Sequence, residues 1–169
     1  EIAHSFNVPV LVDEAHGSHL DLSEHFTGGA VKAGADIVIQ SLHKTLPSLT
    51  QTAIVHLNSK IVTANQLQRQ LSVFQTSSPS YLLMSSIDSC VNLIKNNSAL
   101  FDSWNENLNT FKKEISRLTK LSVLDYTAKN NYFLFDKSKI VISTANTDIN
   151  ATTLMDILRT RFNIELEMC

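Results

Sequence analysis

The sequence is poor in the residue types that announce several common protein classes. Only two cysteines occur, Cys90 and Cys169, far apart and without CxxC spacing. They read as reduced cytosolic thiols, which excludes a disulfide framework and leaves a zinc site unsupported. Fourteen Lys and Arg against sixteen Asp and Glu give a formal charge of -2, and no basic cluster suits a phosphodiester backbone. Nucleic acid is therefore not an expected partner. No apolar run approaches the roughly 20 residues of a membrane span, and nothing at the start resembles a charged segment followed by an apolar one. The sequons at Asn96 and Asn150 are then chance occurrences, as expected of a cytoplasmic protein. Glycine is scarce, four in all, and confined to residues 17–34. Internal repeats and low-complexity segments are absent.

What is present is a strongly apolar chain, 43% hydrophobic over 169 residues, enough for one core or for most of one domain plus part of another. "VPVLVD" at 8–13 and "ADIVIQS" at 35–41 are apolar runs too continuous for a sheet with one wet face. They predict strands buried on both faces of a parallel or mixed sheet. Residues 17–34 suit a loop with a short helix, and "TAIVHLN" at 52–58 a third strand. The spacing predicts a helix over 59–70, broken by "FQTSSPS" with Pro79. From Tyr81 to about Lys120, Leu82, Leu83, Ile87, Cys90, Val91 and Ile94, then Leu100, Trp104, Leu108, Phe111, Ile115 and Leu118, recur at helical steps. That stripe fits a core or a dimer seam, interrupted near "KNNSALFDS". Strands near 121–125 and 139–143, a helix capped by Asn150 and a last strand from Ile164 follow. "EIAHSFN" resembles the last turns of a helix and "FNIELEMC" stops as an alternation begins, so we expect an internal piece of a longer protein.

Ionisable residues cluster where the two apolar runs end: Asp13 and His16 after the first, Ser41, His43 and Lys44 after the second. Ligands of α/β sheets collect beyond the carboxyl ends of strands, so Asp13 and Lys44 converge if their strands are neighbours. A buried carboxylate and a buried amine are each costly unless paired or put to covalent use. A pyridoxal phosphate ring satisfies both: its ring nitrogen keeps a proton beside an aspartate, its aldehyde condenses with a lysine, and its phosphate takes hydroxyl and imidazole donors such as Ser41 and His43. Taken singly, Asp13 also reads as a cap after a strand, Lys44 as a solvated lysine and His43 as a loop histidine. His16 either hydrogen-bonds the cofactor's phenolic oxygen or orients its loop, and Thr76 reads as a turn residue before Pro79.

"VDEAHG" and "SLHKT", with Asp13 and Lys44 31 positions apart, closely resemble the fold-type I pyridoxal-phosphate enzymes. "ADIVIQSLHKTLPSLTQTA" and "QTSSPSYLLMSSID" narrow the resemblance to the Orn/Lys/Arg decarboxylase family. The resemblance covers essentially the whole chain and implies an aspartate aminotransferase-like α/β large domain, a mostly parallel sheet with helices, over residues 1–98. A connecting helix and the start of a smaller α/β domain would occupy 99–169. It implies that Lys44 binds pyridoxal 5'-phosphate covalently, Asp13 holds the pyridinium, Ser41 and His43 bind the phosphate, and Thr76 reaches a neighbouring subunit's phosphate in a homodimer. Leu42 departs from the Thr often found between the phosphate-binding Ser and His. The implied reaction is decarboxylation of arginine, lysine or ornithine to a polyamine-pathway amine. An α-oxoamine synthase shares the "DEAHG" pattern, but His43 and "TLPSLTQTA" favour the decarboxylase. A catalytically silent segment is the competitor from another class. Because the upstream ring-stacking residue and first phosphate loop are absent, this piece alone is expected to be inactive.

Overall fold

The computed structural model describes residues 1–124 and 135–168, which form two compact units, Glu1–Asp102 and Ser103–Cys169. In the first, a one-turn helix α1 (Ile2–Ser5) ends at Asn7, whose φ of 56° is one that asparagine tolerates better than most residues. That reversal sends the chain into β1 (Leu11–Asp13). β1 pairs in parallel with β2 (Ile37–Ser41), which pairs antiparallel with β3 (Ala53–Leu57). The expected neighbours are thus adjacent, and the sheet is mixed rather than mostly parallel among the described residues. The short return to β3 explains the antiparallel partner: a single helical turn, α2 (Leu42–Thr45), and the following loop suffice, whereas a parallel crossover needs a dozen or more residues.

One face of β2 is buried and the other is largely open. Val38 and Gln40 are buried on one side, while on the other Ile37 is buried but Leu11 (60% exposed), Ile39 and Val55 lie open. The expectation of strands buried on both faces is therefore corrected for β1 and β2. An apolar run reports that a face is suited to burial, not that this segment supplies the cover.

At the amino end of β2, the buried Asp36 carboxylate accepts hydrogen bonds from the Val10 amide (2.8 Å), His4 Nε2 (2.6 Å) and the Ser59 hydroxyl. It ties the chain entering β1 to the chain leaving β3. These bonds, Ser59 foremost, hold the Asp36 carboxyl down at about 2.

Helix α3 spans Ala64–Phe74, starting later than the spacing predicts. Thr63 and Gln66 form a capping box, whereas Ser59 is drawn to Asp36 and its oxygen accepts from the Ile61 and Val62 amides. The long helical stretch divides into α4 (Tyr81–Asn96) and α5 (Ala99–Ile115), with the break inside "KNNSALFDS". On α4, Cys90 is buried and Leu83, Ile87 and Ile94 are half-buried, as the predicted stripe requires, but Leu82 and Val91, also expected in that stripe, are exposed, as is Met84. Phe26 anchors the lower core, its ring 6.3 Å from Phe101.

In the second unit, β4 (Ser122–Val123) pairs antiparallel with β5 (Ile142–Ser143). Helix α6 (Ala151–Phe162) starts at Asn150, whose side chain accepts from the Thr153 amide at 2.8 Å. It ends at Asn163, φ 53°, with the Ile164 amide bonded back to the Leu158 carbonyl. That terminal reversal replaces the expected strand from Ile164. No described helix is long and apolar enough to cross a membrane.

Candidate functional site

Parallel pairing puts the carboxyl ends of β1 and β2 at the same edge of the sheet. Asp13 lies opposite Ile39, and Ser41, two residues further along β2, projects from the same face. The ladder continues beyond Asp13, with Glu14 N bonded to the Ile39 carbonyl (2.9 Å) and Ser41 N to the Ala15 carbonyl (3.3 Å). Asp13 Oδ1 accepts from the Ala15 amide at 3.1 Å, and Oδ2 has no partner among the described residues. The chain then turns at Gly17, whose amide reaches the Glu14 carbonyl at 2.9 Å. Gly17 is required there: an added Cβ would overlap Glu14 Cγ and lie 3.0 Å from Leu20 Cδ1.

Ser18 locks this loop to the second motif. Its hydroxyl donates to the Ser41 carbonyl (3.0 Å) and lies 2.8 Å from Thr45 Oγ1 on α2, so it accepts from Thr45. With both loops fixed, Lys44 Nζ lies 3.1 Å from His16 Nε2; the amine donates and the imidazole accepts. Both side chains are exposed. The Ser41 side chain makes no capping hydrogen bond to α2.

His43 is held differently. Its Nδ1 donates to the Thr52 carbonyl at 2.9 Å, so Nδ1 carries a hydrogen and the neutral ring has only a lone pair at Nε2. An anion reaching Nε2 finds a donor only after the ring takes up a second proton.

Asp13, His16, Ser41, His43 and Lys44 therefore share one edge of one sheet. Thr76 is not drawn into these contacts: it is exposed, and its Oγ1 accepts from the Ser78 amide (3.2 Å) within its own turn.

Three residues behind the site escape a reading of strand ends. Glu14 accepts from the Ala30 amide (2.8 Å) and from Gln40 Nε2 (2.6 Å), and Gln40 Oε1 accepts from His56 Nε2 (3.0 Å). A signal did exist, because an amide within "DIVIQS" must find partners if the strand is buried.

Residues 1–147 match the family described as Orn/Lys/Arg decarboxylase, major domain. The chain is similar to the arginine decarboxylases of Bacillus subtilis (33% identical over 99% of the chain and 35% of the relative) and Halalkalibacterium halodurans (34%, 99% and 35%). Over 87 residues it is 51% identical to the uncharacterized protein YaaO of Bacillus subtilis, covering 51% of this chain and 18% of that protein. The chain thus spans about a third of the length of these arginine decarboxylases. With most of its length matched and its ionisable residues gathered at one sheet edge, the chain belongs to the Orn/Lys/Arg decarboxylase family.

Proposed function

We propose that the intact protein is a pyridoxal-phosphate-dependent decarboxylase of a basic amino acid, acting as a cytoplasmic homodimer. The observation that carries this reading is the Lys44–His16 contact at the end of parallel strands that terminate in Asp13 and Ser41. The donor set suits the cofactor: an exposed primary amine for its aldehyde, a carboxylate with one unengaged oxygen for its ring nitrogen, and a hydroxyl and an imidazole for its phosphate. When bound, pyridoxal phosphate supplies an electron sink for the pair released as the bond from Cα to the carboxylate breaks.

The chain's own groups would then divide the work. Lys44 would hold the cofactor covalently and yield its place to the substrate amine. Asp13 would keep the proton on the ring nitrogen, its remaining oxygen being held by the Ala15 amide. Ser41 and protonated His43 would bind phosphate oxygens, and His16 would accept a hydrogen bond from Lys44 or from the phenolic oxygen. Thr76 would reach the phosphate of the neighbouring subunit. The exposed Val73, Phe74, Tyr81 and Leu82 around it support an apolar subunit interface there. Residues 1–98 would belong to the cofactor domain and 99–169 to a connecting helix and smaller domain.

Arginine is the substrate to test first, since relatives along the whole chain are named arginine decarboxylases. Borohydride reduction and peptide mapping should place a phosphopyridoxyl group on Lys44, and the intact protein should release CO2 from arginine, lysine or ornithine. A label on another lysine, or no release from any of the three, would overturn the reading.

A further inference from the structure

We infer that Glu14 and Gln40 are positioning residues, a polar brace behind the sheet that sets the approach of His16 to Lys44. Glu14 directly follows Asp13, and Gln40 directly precedes Ser41. Because side chains alternate along a strand, Gln40 lies on the face opposite Ser41. Gln40 is 6% exposed, so its amide must be satisfied internally. The orientation of the network is determined throughout. Glu14 can only accept, so Gln40 turns its NH2 toward it (2.6 Å) and its oxygen toward the His56 Nε2 hydrogen (3.0 Å). The second Glu14 oxygen takes the Ala30 amide (2.8 Å), and Gln40 Nε2 also reaches the Gly17 carbonyl at 3.3 Å.

These bonds join β3, β2 and both sides of the 15–17 turn, the segment that carries His16. Lys44 stands on α2, directly continuous with β2. Loosening the brace therefore frees one partner of the 3.1 Å contact relative to the other. This deepens the decarboxylase reading and rests on it for its catalytic meaning, but the geometry concerns the protein alone.

Charge complementarity provides the test. Glu14→Gln leaves two N–H donors facing one amide oxygen, and Gln40→Glu sets two carboxylates together. The double variant restores all the pairing but one bond: the amide introduced at position 14 accepts from Ala30 and donates to the carboxylate introduced at position 40, which still accepts from His56, while the 3.3 Å bond to the Gly17 carbonyl is not replaced. Acylation of Lys44 relative to Lys60 is read by peptide mass spectrometry in the intact, cofactor-free protein, beside a thermal melt. Each single variant should speed Lys44 labelling about fivefold, the weight of one lost hydrogen bond, and the double variant should return it most of the way. Folded single variants with an unchanged ratio, or a folded double variant with no recovery, would overturn the brace. If neither single variant folds, Gln40→Met, isosteric but without donors, carries the same readout. A wild-type protein that takes no phosphopyridoxyl label while the variants still shift Lys44 labelling would sink the decarboxylase reading and leave the brace standing.

Discussion

His16 Nε2 accepts a hydrogen bond from Lys44 Nζ at 3.1 Å, across 28 positions of sequence. Neither side chain is buried, so the contact is not a product of core packing. It follows from two loops fastened to each other by Ser18, which joins the Ser41 carbonyl to the Thr45 hydroxyl. A surface hydrogen bond contributes little to stability. Its worth lies in where it holds the amine.

Asp13→Asn separates binding from catalysis. The substitution removes the charge that would keep a proton on the ring nitrogen, yet it preserves an acceptor for the Ala15 amide. Phosphopyridoxyl incorporation at Lys44 should persist, while kcat for decarboxylation should fall on the order of a hundredfold or more, because the interaction strengthens as charge flows into the ring. Turnover within a few-fold of wild type at full cofactor occupancy would reduce Asp13 to a strand-end residue.

His43 predicts a phosphate-specific loss. Nδ1 is committed to the Thr52 carbonyl, so Nε2 is the ring nitrogen left to meet a phosphate oxygen. Removing one charge-assisted hydrogen bond with His43→Ala should weaken pyridoxal phosphate binding about tenfold or more, while binding of pyridoxal, which has no phosphate, should change little, both read by equilibrium titration followed by absorbance. Equal losses for the two ligands would mean that His43 does not meet the phosphate.

Gly17→Ala should destabilise the first unit by about 1–3 kcal/mol, as overpacking does. The new methyl would lie 2.9 Å from Glu14 Cδ and 3.0 Å from Leu20 Cδ1. Glu14 cannot swing aside without abandoning Ala30 and Gln40. Urea denaturation of the intact protein measures the change, and an unaltered midpoint would show that the loop yields freely.

Asp36 gives a pH dependence of definite sign. Its folded carboxyl is held at about 2 by Ser59, Val10 and His4, below the unfolded aspartate value of about 3.9. Its stabilisation is therefore fully present above about pH 4 and is lost as pH falls through about 2. Asp36→Asn should lower Tm at pH 6 and flatten the decline of Tm between about pH 4 and 2. Parallel Tm curves for wild type and variant would contradict the assignment.

Much of the fold was legible because local chemistry expresses it. The stripe of Leu83, Ile87, Cys90 and Ile94 has helical spacing whatever surrounds it, and Asn150 caps its helix with its own side chain. The start of α3 was not legible, because Ser59 is claimed by Asp36, 23 positions away. Strand burial was misread for a related reason: Leu11 and Ile39 are apolar, but burial depends on what else is folded against them.

The candidate site divides along the same line. Side-chain chemistry and spacing are carried by the order of residues, so "VDEAHG" and "SLHKT" declare a carboxylate, imidazoles, a hydroxyl and an amine at strand ends without any coordinates. Parallel adjacency of β1 and β2, the donation of His43 to Thr52 and the buried partners of Gln40 are relations between distant segments. Each depends on which backbone and side-chain groups meet once the chain is compact. Burial makes such pairing obligatory, but residue order alone does not say which partner satisfies it.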